Sequence, residues 1–178
     1  MKRSIAVLLC LSMLFCGSMA LADKTEIGTL NVNGAFELKC ALPEGYELNI
    51  EQADTTQIDA LIATGDATRP TMHLTVAFNE LLSDTDRLND LEDAELAVLE
   101  QTFRAEDDVN ISYRNTDHGT KLLIAELKGE YVVFYTIYKG YEIEFVLVKG
   151  QEGSEPLTEA EIQMAVDFLS DLDFVAAE

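Results

Sequence analysis

What the chain has little of narrows its options before any pattern is read. It has no tryptophan and three prolines in 178 residues. No proline- or glycine-rich stretch, internal repeat or low-complexity tract divides it, so nothing marks a linker between domains. Lysine and arginine number 12 against 33 aspartates and glutamates, a net charge of −21. Such an excess repels nucleic acid, whose binding needs basic side chains to neutralise phosphates. It also disfavours anionic membrane surfaces. It favours solubility, cations and basic partners.

Catalytic residue types are equally scarce. The two histidines, His73 and His118, fit no H-E-x-x-H pattern and no Cys/His spacing that would hold zinc. No G-x-S-x-G elbow, phosphate-cradling glycine loop or dinucleotide fingerprint occurs. Of three cysteines, Cys10 and Cys16 lie in an N-terminal apolar run. Cys40 is left without an internal disulfide partner, although export would permit a disulfide. Its place in the alternating segment Phe36–Cys40 reads as a buried strand position. A reactive thiol would need exposure and a lowered pKa. Among so many carboxylates no acid–base pair stands out. The chain therefore reads as a non-enzyme, with a hydrolase pairing Cys40 and a histidine as the less favoured reading.

The one long apolar run is N-terminal. Lys2 and Arg3 precede Ile5–Phe15, and Ala20-Leu21-Ala22 places small residues where a signal peptidase reads them. Basic start, apolar middle and A-x-A site mark residues 1–22 as a secretory signal peptide. The run is shorter than the ~20 residues that span a bilayer. Neither Cys10 nor Cys16 follows the small residue that a lipid-attachment site requires. The expected product is exported to the periplasm, the cell surface or the exterior, with no membrane span of its own. It would run from Asp23 to Glu178, with 10 basic residues against 33 acidic and a net charge of −23. Residues 23–178 suit a single domain.

Within that domain the periodicity predicts an α+β fold. Asn33-Gly34 and Pro43-Glu44-Gly45 are turns, and Tyr46, Leu48 and Ile50 alternate. Ile58–Thr64 is a further strand. Thr71–Phe78 alternates strictly, with Met72, Leu74, Val76 and Phe78 on one side and Thr71, His73, Thr75 and Ala77 on the other. Leu96, Leu99 and Phe103 recur with helical spacing inside Leu91–Arg104, with Asn89 or Asp90 as the cap. Ile162, Val166 and Leu169 do so inside Thr158–Leu172, where Thr158 and Glu161 have capping-box spacing. The expectation is an antiparallel sheet of about six strands, ending in a C-terminal meander and flanked by two main helices.

The meander comprises Val109–Tyr113, Lys121–Lys128, Tyr131–Tyr138 and Tyr141–Val148. Gly129-Glu130 and Lys139-Gly140 are read as two-residue loops. Residues 130–150 hold six of the chain's fourteen Phe and Tyr. This register pairs Phe134 with Phe145, Val132 with Leu147, Thr136 with Ile143 and Tyr138 with Tyr141. It adds Lys121, Leu123, Ala125 and Leu127 to that face. The other face carries Tyr131, Val133, Tyr135 and Ile137, beside Glu142, Glu144, Val146 and Val148, with Leu122, Ile124, Glu126 and Lys128 on the far side. A strand apolar on both faces belongs inside a sheet covered on both sides. Whatever a helix leaves uncovered is a candidate protein interface, with Tyr131, Val133, Tyr135, Glu142 and Glu144 as its residues.

No cofactor is called for, with calcium as the alternative. Counted from Asp84, the acidic stretch Asp84–Glu95 places oxygen donors Asp84, Asp86, Asp90 and Glu95 at EF-hand positions. Leu88 and Asn89 break the pattern where a donor and a glycine belong.

Several segments carry a family resemblance: Gly34-Ala35-Phe36-Glu37-Leu38, Leu42-Pro43-Glu44-Gly45-Tyr46, the strand Met72–Phe78, the long meander, and a closing helix that ends in Leu172-Asp173-Phe174. In type and order these resemble the PsbP-like fold superfamily, which includes an extrinsic photosystem II protein, a Ran-binding import factor and exported bacterial proteins. The resemblance covers most of residues 27–175. It implies an antiparallel sheet between helices and a non-catalytic accessory or binding role for an envelope or extracellular protein partner. It carries no site residue across. Expressed with its leader in an exporting host, the chain should be recovered with Asp23 as its first residue and no lipid attached. Intact-mass spectrometry of the secreted product checks this, and retention of residues 1–22 would overturn it.

Overall fold

A computed structural model describes residues 27–104, 108–127, 129–150, 153 and 155–177. Ten strands and two α-helices lie among them, against the six or so strands expected. Strands β3 (Glu47–Ala53), β4 (Gln57–Ala63), β5 (Thr71–Phe78), β6 (Val109–Asn115), β7 (Lys121–Leu127), β8 (Tyr131–Tyr138) and β9 (Tyr141–Val148) form a seven-stranded sheet in the order β3-β4-β5-β9-β8-β7-β6. Every pairing in it is antiparallel. Strands β1 (Ile27–Val32), β2 (Phe36–Ala41) and β10 (Asp173–Ala176) form a second sheet in the order β1-β2-β10. Helix α1 (Asp93–Phe103) joins β5 to β6, and helix α2 (Glu159–Ser170) follows β9.

The period-two alternation of β2, β4 and β5 places one side of each strand in the main core. There Leu30, Phe36 and Leu38 of the small sheet meet Ile62, Met72, Leu74, Phe134, Ile143, Phe145 and Leu147 of the large one, with Ala165, Phe168 and Leu169 of α2. Aromatic rings tie the two sheets together. Phe36 meets Tyr138 edge-on at 4.9 Å, and Tyr138 stacks on Phe174 at 4.5 Å. On the opposite face of the large sheet, Leu123, Ala125, Val133, Tyr135 and Ile137 form a second core. Leu91, Leu96, Leu99 and Phe103 from the α1 region cover it.

The β8–β9 hairpin pairs as its sequence predicts, Phe134 opposite Phe145 and Tyr138 opposite Tyr141. Lys139 and Gly140 both take positive φ, 50° and 78°, as a type I′ turn requires. A Cβ at Gly140 would lie 3.1 Å from the Phe78 ring and the Ser83 Cα, so space as well as conformation calls for glycine. Strand β8 is buried along Val132–Tyr138, on both faces.

Three expectations are corrected. The β7 register is one residue from that predicted: Leu127 pairs with Tyr131 and Ile124 with Phe134. The Glu130 N–H donates to the Leu127 carbonyl and Gly129 sits at φ 75°, so the connection is longer than two residues. Leu123, Ala125 and Leu127 therefore share the Tyr135 face, because a single-residue slip reverses every side chain. Second, the chain after α2 is strand rather than helix: Phe174 pairs with Leu38 of β2. Third, α1 is capped neither by Asn89 nor by Asp90. The Glu95 carboxylate accepts the Glu92 N–H at 2.8 Å instead. The capping box predicted for α2 forms, with the Thr158 N–H donating to Glu161 Oε2 at 2.8 Å and the Glu161 N–H to Thr158 Oγ1 at 3.3 Å.

Phe134 has no exposed surface, and its truncation leaves a cavity between the sheets. Phe134→Ala should cost about 3–5 kcal/mol. Val98→Ala, on the outer side of α1, should stay within about 0.5 kcal/mol. Urea denaturation measures both, and equal effects would contradict this assignment of the core.

Candidate functional site

The two faces of the large sheet are covered unequally. The small sheet and α2 serve the main core, while the second core spans β6, β7 and β8 and reaches β9 only at Val146. Beyond it the same face of β9, β5, β4 and β3 is half-exposed or exposed. These four strands contain five carboxylates (Glu47, Glu51, Asp59, Glu142 and Glu144) and no lysine or arginine.

Register sorts this face into rows. One row runs Gln52, Asp59, Thr75, Glu144, Tyr135 and Leu123 from β3 to β7. The next runs Asn49, Leu61, His73, Val146, Val133 and Ala125. A polar row holding Asp59 and Glu144 thus lies beside a mixed one in which Leu61 and Val146 flank His73, and both pass from the open half to beneath α1.

The carboxylates differ in their partners. Asp59 Oδ1 accepts from Thr75 Oγ1 and Gln57 Nε2, each at 3.0 Å. Glu142 accepts from the Tyr135 hydroxyl at 2.8 Å and from Asn79 Nδ2 at 3.1 Å. Burial first, then the charge of Glu142, pushes the Tyr135 hydroxyl well above its ordinary pKa. Among the described residues nothing hydrogen-bonds to the Glu144 carboxylate. Burial, and then Glu142 beside it, holds its carboxyl above the ordinary value of 4.5. His73 gives no compensating cation: burial lowers its pKa from 6.5, against the weaker pull of Glu51.

The interface predicted from sequence is therefore divided. Val133 and Tyr135 are 7% and 3% exposed and belong to the core beneath α1, with the Phe103 ring 5.4 Å from that of Tyr135. Tyr131, half-buried, packs at the border of that core. Glu142 and Glu144 lie where covered sheet meets open sheet, and the open surface continues onto β5 and β4. Sequence reasoning missed Gln57, Asp59, Leu61 and Thr75. The alternation of residues 57–63 and 71–78 assigns each side chain a face, but not the pairing of β5 with β9 that joins those faces to Glu144.

The four calcium candidates are not gathered. Asp84, Asp86, Asp90 and Glu95 are exposed, and among the described residues no three His, Cys, Asp or Glu form a group able to hold a metal. The loop's backbone straps the hairpin tip instead. The Lys139 N–H donates to the Asp86 carbonyl at 2.8 Å and the Gly140 N–H to that of Thr85 at 3.0 Å. Cys40 is buried in the main core, its thiol pushed up to about 12 by burial and then by Asp171. His73 lies on the other face of the large sheet. His118, in an exposed turn, approaches Asp171 at 3.5 Å and Asp173 at 3.9 Å. A depression on the outer side of the small sheet is lined by Asn31, Glu37, Lys39, Val175 and Ala176, and the Lys39–Glu37 ion pair at 2.9 Å satisfies its charges. Comparison with protein-family models and with curated proteins finds no match.

The raised Glu144 pKa has a definite sign for stability. The folded state holds this proton more tightly than the unfolded chain, so the stability it contributes is full below pH 4.5 and is lost as pH rises through the folded-state value. Glu144→Gln removes the titration. It should raise Tm at pH 7, and the gain should vanish below about pH 4, near the unfolded carboxyl range. Thermal melts across this range test it, and a gain independent of pH would refute the cause.

Proposed function

We propose that this chain is an exported, non-catalytic binding module that engages a protein partner in the cell envelope or outside the cell. The observation that carries the reading is the half-covered sheet. A rigid antiparallel scaffold, roofed by α1 over β6–β8, presents an acidic and aliphatic surface on β3, β4, β5 and β9. Sites on regular elements are held more precisely than sites on loops, and such a mixed surface suits protein contact. The leader-like residues 1–22 support export. The resemblance to PsbP-like proteins points to the same kind of role, and a sheet with helices on both faces is consistent with it.

A photo-crosslinking residue at Thr75, compared with one at Val98 on the outer side of α1, tests the reading in envelope extract. A discrete adduct is expected from position 75 and absent from position 98. No adduct at 75, or the same adducts at both positions, would overturn it.

A further inference from the structure

We propose that the open face of β3, β4, β5 and β9 receives a basic polypeptide segment in which lysine or arginine alternates with aliphatic residues, and that Glu144 anchors it. This deepens the reading of the chain as a binding module and rests on it.

Charge is the first argument. Five carboxylates fall on four adjacent strands that carry no lysine or arginine, and His73 is held toward its neutral form by burial. Asp59 and Glu142 are satisfied by neutral donors, which supply hydrogen bonds and leave the charge in place. The Glu144 carboxylate has neither donor nor counter-charge among the described residues. A cation brought to it gains more than one brought to a fully solvated carboxylate, because screening falls as a site is desolvated.

Spacing is the second. Glu142 and Glu144 are alternate residues of β9, about 7 Å apart along the strand, and Asp59 lies two strands from Glu144, about 10 Å away. Those separations suit distinct cationic side chains on one polymer rather than one metal ion, in keeping with the ungathered carboxylates. The neighbouring row is the third. In it Leu61 and Val146 stand on either side of His73, next to Asp59 and Glu144, with Val148 further along β9. Apolar side chains of a polypeptide can use this row, and a simple polyamine cannot.

The probe is an acetylated nonapeptide alternating arginine with leucine and valine, set against its glutamate-for-arginine counterpart and spermidine. The protein is the full chain expressed with its leader and purified as secreted, in 150 mM salt. The arginine peptide should shift the backbone amides of β4, β5 and β9, and the glutamate peptide should not bind. Glu142→Gln combined with Glu144→Gln should weaken binding at least tenfold. The equally charged control Glu44→Gln with Glu130→Gln, at exposed positions off this face, should stay within twofold. Equal losses in the two double variants would mean attraction by net charge alone. Amide shifts confined to other elements, spermidine binding as tightly as the arginine peptide, or no binding at millimolar peptide would each overturn the proposal. If the peptide fails while the Thr75 adduct still forms, the binding-module reading stands and the basic partner is wrong; if both fail, both fall.

Discussion

The fold depends on burying β8 from both sides. Seven consecutive residues, Val132–Tyr138, are shut from water, and an antiparallel strand can be so only where each face of its sheet is packed against something. The type I′ turn at Lys139-Gly140 fixes how β9 lies against it, with Phe134 beside Phe145 and Tyr135 beside Glu144. Because strand side chains alternate with a period of two, that one register decides two things. It delivers Ile143, Phe145 and Leu147 to the main core, and it delivers Glu142 and Glu144 to the opposite face.

What covers that opposite face is too small for it. Seven strands make a sheet about 29 Å wide at their usual spacing. Helix α1 has 11 residues, about 16 Å of length and about 10 Å of diameter. It can roof two or three strands, and Leu96, Leu99 and Phe103 lie over the β6–β8 end, where the neighbouring side chains are apolar. The main-core side has α2 and a whole second sheet as cover, and there β3, β4 and β5 turn in Leu48, Ile58, Ile62, Met72 and Leu74. The open face thus follows from unequal cover, and its polarity follows from being open.

Local pattern carried most of the fold. Residues 71–78 and 159–170 show their strand and helix in the spacing of apolar residues alone, and Thr158 with Glu161 marks where α2 begins. What escaped was everything that depends on partners distant in the chain. Strand β10 has four residues, too few for a period to declare itself, and it exists because Phe174 finds Leu38 across the whole domain. The slip in β7 arose at Gly129, where a positive φ fits more than one loop length. The oxygen donors of the acidic stretch after Asp84 are not gathered among the described residues, and its carbonyls at Thr85 and Asp86 accept from the hairpin tip at Lys139 and Gly140. For the candidate site, the sequence placed Glu142 and Glu144 on one face of β9. Only the pairing of β5 with β9 shows that Asp59, Thr75 and Leu61 share their surface.

Glu144 is where local rules and stability disagree. A glutamate opposite Thr75 on one neighbour and Tyr135 on the other, half-buried and next to a second glutamate, costs free energy in the folded state. A threonine or glutamine there would serve the sheet better. Folds break local consistency mostly at sites whose purpose is not stability. The remedy for an uncompensated carboxylate is a cation, and β3, β4, β5 and β9 hold no lysine or arginine to provide one. Among the described residues, Lys39 is held against Glu37 and Lys149 against Glu161. Strands that carry no lysine or arginine while holding a desolvated anion at the edge of the roof are better matched to a charge arriving from outside than to water.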